Sequence, residues 1–79
     1  MNKEQALQNV IDNPMSSEAW QALGKSCGWN WTDEALKDPI GEAMPEFNSI
    51  HIYHALKFHE INLTQGWDKA VEYLEEIIK

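Results

Sequence analysis

The chain has 79 residues, 43% of them hydrophobic, and thirteen acids against six lysines give a formal net charge of −7. That length fits one domain with a small core and marginal stability, in which the four tryptophans supply much of the apolar area. Arginine, the usual residue of bidentate phosphate and guanine recognition, does not occur in the chain, so composition and charge argue against direct nucleic-acid binding.

Asn2 followed by Gln5 reads as a helix start, and Leu7, Val10 and Ile11 then give a short stripe at helical spacing. Asn13-Pro14 ends that helix, because a residue before proline disfavours the helical region. Ser16 reads as the next N-cap, with Met15 and Trp20 spaced as a hydrophobic staple. The second helix then runs to Cys27, with Ala19, Trp20, Leu23 and Cys27 on one side and Gly28 suited to the left-handed position after it. Trp29-Asn30-Trp31 is a short loop. Thr32 or Asp33 caps a third, short helix offering Ala35, Leu36 and Ile40, which Pro39 interrupts. Residues 38–45 read as an irregular connection, with Gly41 and Pro45 in support.

The stretch from Ile50 to Leu63 is the most informative in the chain. Ile50, His54, Phe58 and Ile61 fall on one side of a helix, and Ile52, Leu56 and Leu63 on a second. Ala55 and Tyr53 stand at the edges, and Lys57 and Glu60 are confined to a narrow wedge. A helix apolar almost all round is expected to be covered almost all round. It is therefore the expected central element, over about residues 47–63, wrapped by the first, second and last helices. Asn48 or Ser49 caps it, and Thr64-Gln65-Gly66 closes it. The last helix carries the cleanest stripe: Trp67, Ala70, Val71, Leu74, Ile77 and Ile78, with Asp68, Lys69, Glu72, Glu75, Glu76 and Lys79 opposite. Glu75 and Lys79 are spaced as a favourable i,i+4 pair. No segment holds a period-2 strand pattern.

Trp20-x-x-Leu23-Gly24 resembles the opening of a tetratricopeptide repeat, and Trp67-x-x-Ala70-x-x-x-Leu74-x-x-Ile77 resembles that repeat's second helix. The two fragments start 47 residues apart, against roughly 34 residues for one unit. Pro39 falls inside what would be the first unit's second helix, and Cys27 stands where a large aromatic is usual. Both fragments are read as ordinary helix-hairpin packing, and no binding residue is carried over.

Candidate chemistry is sparse. His51 and His54 share a side at i,i+3, but His59 lies about 12 Å along the axis from His51, so one straight helix cannot bring all three to one metal. His54, between Ile50 and Phe58, is expected to be buried and neutral. The single Cys27 allows neither an intrachain disulfide nor a multi-cysteine metal site, and it suits a reducing compartment. Its place at a helix C-terminus is the wrong end of the dipole for a thiolate. No phosphate-cradling glycine loop, nucleophile elbow or calcium-loop spacing occurs. No cofactor, metal site or catalytic residue is expected. The chain shows no basic-then-apolar leader and no apolar run near the ~20 residues of a spanning helix, so the expectation is a soluble, cytoplasmic protein without membrane contact.

The expected fold is all-α: a compact single-domain bundle over residues 1–79, of four to five short helices around the central one. The expected function is a small acidic, non-enzymatic protein–protein interaction module, an accessory or adaptor protein whose partner is basic. The expected surface is the tryptophan loop, with one of Trp29 and Trp31 exposed as an anchor and Asp33, Glu34 and Asp38 at its rim. An alternative is an acidic mimic of nucleic acid that inhibits a nucleic-acid-binding protein. Self-association as a homodimer is a third reading, because so small a core gains from an interface.

Overall fold

In the computed structural model the described residues are 2–38 and 50–78. They form five helices in chain order: α1 (Lys3–Asp12), α2 (Ser17–Cys27), α3 (Asp33–Lys37), α4 (Ile50–Gln65) and α5 (Trp67–Ile77). No strand occurs among the described residues. The fold is an all-α bundle, as the periodicity predicts.

The caps account for most of the boundaries. Asn2 Oδ1 accepts the Gln5 N–H at 2.8 Å and starts α1. Ser16 Oγ accepts the Ala19 N–H at 3.2 Å, and Thr32 Oγ1 accepts the Ala35 N–H at 3.1 Å, starting α2 and α3. Each supplies an acceptor to a donor that has no partner within its own helix. Gly28, at φ 68°, ends α2 in the left-handed region. Gly66, at φ 98°, separates α4 from α5 with no other residue between them. The caps expected at Asn48 or Ser49, the Ile40 position, the connection beyond Asp38 and the Glu75–Lys79 pair lie outside the described residues.

The helices pack in sequence: α1 on α2, α2 on α4, and α4 on α5. α1 thus makes its main contact with α2 and does not wrap α4 as expected. The core that results holds Ala6, Val10, Trp20, Leu23, Phe58, Ala70 and Leu74, all buried. Trp20 meets Phe58 edge to face at 5.5 Å, and Trp67 meets the same ring at 5.5 Å. The first and last helices are tied at their ends, where Lys3 Nζ donates to the Ile78 carbonyl at 2.8 Å. That carbonyl is one of the last of α5, where a cation is favoured.

Two expectations need correction, one about α4 and one about the start of α2. α4 is the central element in packing, lying between α2 and α5, but it is not covered all round. Phe58 is fully buried and Ile61 is partly covered, whereas Leu56 is 39% exposed and Leu63 is 85% exposed. Among the described helices its main contacts are with α2 and α5, which meet the side that carries Phe58. The proposed staple of Met15 on Trp20 also fails, since Met15 is 80% exposed. A polar tether holds that corner instead: the Pro14 carbonyl accepts Trp20 Nε1–H at 2.7 Å and His59 Nε2 at 3.2 Å.

Candidate functional site

The two tryptophans that the sequence nominates belong to a packed aromatic cluster. Trp29 follows the left-handed Gly28, and its backbone N–H bonds the Gly24 carbonyl at 3.0 Å. This is the long hydrogen bond of a Schellman closure, and it turns the chain back over the last turn of α2. The indole then lies against Gly24, where a Cβ would sit 3.1 Å from Trp29 Cε3. It stacks at 4.4 Å on the His54 ring and at 6.3 Å on Trp20. Its Nε1–H donates to the Ile77 carbonyl at 3.1 Å, satisfying another end group of α5. Trp31 packs at 5.6 Å on Tyr53, itself buried. Both tryptophans are partly buried. The exposed aromatic anchor expected in this loop is not formed, because the α2 closure folds Trp29 inward and α4 supplies Tyr53 as a platform for Trp31.

His54 lies at the centre of the cluster, within ring contact of Trp29, Tyr53 and Tyr73. Its Nδ1 shares a 2.9 Å hydrogen bond with the Tyr73 hydroxyl. Burial among these rings disfavours the charged imidazole and lowers its pKa to about 4. The same burial pushes the Tyr73 phenol well above its ordinary value. His51 is also lowered by burial. The neutral, partly covered His54 matches the reading from its apolar neighbours in sequence.

The acids take different places. Asp38 is partly buried and pairs with Lys57 Nζ at 3.1 Å. Burial alone would lower the Lys57 pKa, but the hydrogen bond and charge of Asp38 outweigh it and raise it. Glu34 is exposed and lines, with Asp38, Tyr53, His54 and Lys57, a shallow hollow of about 320 Å³. Asp33 is exposed on the first turn of α3. Burial raises the Tyr53 hydroxyl pKa first, and the nearby charges of Asp38 and Glu34 add to this. Glu34 and Asp38 thus share one hollow with Tyr53 and Lys57, Trp31 packs on Tyr53, and Trp29 packs on His54.

The surface that sequence reasoning missed lies on α4. Ile52, Leu56 and Leu63 follow one line along the helix, with His59 and Glu60 beside them. At the N-terminal end of this line Ile52, Ala55 and Leu56 border a hollow of about 230 Å³ that Pro14, Met15 and Trp20 complete. Met15, Leu56 and Leu63 are exposed. The sequence does mark these residues as a second apolar side of the helix, but not whether another helix covers them. Among the described residues no group of three or more His, Cys, Asp or Glu side chains is placed to hold a metal, and no helix is long and apolar enough to cross a membrane. Comparison with protein-family models, with curated proteins and with solved structures gives no match.

Proposed function

We propose that this chain is a small, acidic, non-enzymatic protein-interaction module, an accessory or adaptor, and that it works through the open apolar strip of α4. The observation that carries the reading is the exposure of Leu56 and Leu63 on one line of α4, and of Met15 across the hollow from Leu56. An exposed apolar row on a small, otherwise charged surface marks an interaction site more often than it marks chance. The nucleophile and base candidates are spent on structure, which favours a binding role over catalysis. His54 is neutral and bonded to Tyr73, His59 holds the Pro14 carbonyl, and burial raises the Cys27 thiol pKa. The tryptophan loop serves as the scaffold that fixes α4 against α2 and α5.

The nucleic-acid mimic would work instead through the exposed acids of α5, namely Asp68, Glu72, Glu75 and Glu76. Lys69 interrupts that row by lying 3.4 Å from Glu72, so the apolar strip carries the reading. Affinity capture from the native organism with the unaltered chain and with Leu56→Ser/Leu63→Ser tests it. Loss of the captured partner by the double variant, with its helical circular dichroism retained, is the expected result. Undiminished capture would refute the strip. Capture that ignores the strip but collapses with moderate salt would move the function to the acids of α5.

A further inference from the structure

Resting on that reading, we infer that the occupant of the α4 strip is an amphipathic helix of a partner protein, apolar on one side and flanked by lysine or arginine. The strip has the form that such a helix fits. From Ile52 to Leu63 it runs about 16 Å, three turns at the helical rise of about 1.5 Å per residue. It is straight because it lies on one helix, and it presents aliphatic side chains at i, i+4 and i+11. The hollow at its N-terminal end is floored by Trp20, which is 1% exposed, and by Ala55. Its volume of about 230 Å³ suits one bulky apolar side chain entering beside Met15. A straight aliphatic ridge with one hollow beside it is matched by the apolar side of a second helix packed along it. Strand addition needs an open sheet edge, and no strand occurs among the described residues. Recognition of a polyproline segment needs exposed aromatic ridges, whereas this strip is aliphatic and its tryptophan is sealed beneath it.

Charge sets the flanks. Glu60 is exposed within the strip, between Leu56 and Leu63. The lysine that α4 carries, Lys57, points to another side of the helix and is held by Asp38. The whole chain adds a net charge of −7. A cationic helix is therefore attracted by the net charge and matched at Glu60. A second copy of the chain is the poorer occupant. A two-fold contact on this strip would oppose Glu60 with its own image and bring together two surfaces of net charge −7. An anionic membrane surface is disfavoured by the same charge.

The test is a titration of the full chain, followed by amide NMR, with three synthetic helical peptides of about three to four turns. The first carries leucines on one side and lysines on the other, the second has glutamates in place of the lysines, and the third has serines in place of the leucines. The first peptide is expected to bind and to shift resonances of Met15, Ile52, Leu56 and Leu63. The other two are expected to bind at least tenfold more weakly. Leu63→Ser should weaken the first peptide about tenfold, and Glu60→Gln should weaken it severalfold while flattening its salt dependence. Equal binding of the serine peptide would mean charge attraction alone, and equal binding of the glutamate peptide would remove the cationic partner. Shifts confined to α5, or strip shifts that follow the concentration of the chain itself, would also overturn the inference. If the strip variants lose the native partner but no lysine peptide binds, the interaction-module reading stands and the cationic helix falls. If native capture ignores the strip, the reading beneath both falls.

Discussion

His54 sits where a proton is costly. Its ring touches Trp29, Tyr53 and Tyr73, and burial is the cause of its lowered pKa. With a folded value of about 4 against an ordinary 6.5, the unfolded chain takes up the proton first as pH falls. The stability this residue contributes is therefore complete above about pH 6.5 and is lost as the pH drops towards 4. The loss should be on the order of 1–2 kcal/mol, since the ring is partly open to solvent and screened. Denaturant unfolding at pH 7 and pH 4.5 should show it, and His54→Gln should remove that part of the pH dependence. Ring resonances of His54 should titrate below those of His51. A His54 value at or above 6.5 would place the ring in water. Trp29 offers a second check. Trp29→Phe keeps most of the ring but leaves the Ile77 carbonyl without its Nε1–H donor, and should cost about 1 kcal/mol in chemical denaturation. A larger indole-specific role, such as partner anchoring, would instead leave stability unchanged and reduce capture.

At the scale of the helices, α4 carries two apolar sides with different fates. Phe58 is fully buried against Trp20 and Trp67, so Phe58→Ala should cost about 3–5 kcal/mol and unfold a domain this small. Leu63→Ser, at 85% exposure, should stay within about 0.5 kcal/mol of the unaltered chain. Leu56→Ala should fall between them, near 1 kcal/mol, below the ~2–5 kcal/mol of a true core leucine. Thermal melts of the three variants rank them, and a Leu63→Ser melt as low as that of Phe58→Ala would mean the strip is core. This contrast also shows what the sequence makes legible. Local chemistry is readable: Asn2, Ser16, Thr32 and Gly28 each do what their residue type implies at a helix end. Periodicity finds both apolar sides of α4, because it measures which residues can be buried. It does not measure how many helices are available to bury them, so it cannot tell the exposed Leu56 side from the buried Phe58 side. The loop differs from its expectation for a related reason. Its fate depends on Gly24, whose lack of a Cβ lets Trp29 close over α2. A glycine four residues before the capping Gly28 is the signal in the sequence that points to that closure, and Tyr53 as the seat of Trp31 has no local signal at all.

For the whole molecule, the order of packing determines where the fold opens. Contacts run from α1 to α2, from α2 to α4 and from α4 to α5, so α2 and α4 each have two neighbours while α1 and α5 close the ends. The clasp between Lys3 and Ile78 joins those ends, but it is an exposed side-chain hydrogen bond and contributes little. α1 contributes only Ala6 and Val10 to the buried residues of the core. Releasing α4 removes Phe58 from between Trp20 and Trp67, withdraws Tyr53 from Trp31 and breaks the His54–Tyr73 bond, so it dismantles the aromatic cluster and the core together. Local openings sample less costly events more often. Native-state amide exchange should therefore be slowest in the middle of α4, between Ile52 and Ile61, followed by Trp20 to Gly24 of α2. It should be markedly faster in α1, and α5 should fall between α1 and α4, because Ala70 and Leu74 are buried but its outer side is solvated. If the middle of α4 exchanges faster than α5, the core is organised around the last helix. The open strip would then lie on a mobile element rather than on the rigid centre that a docking ridge needs.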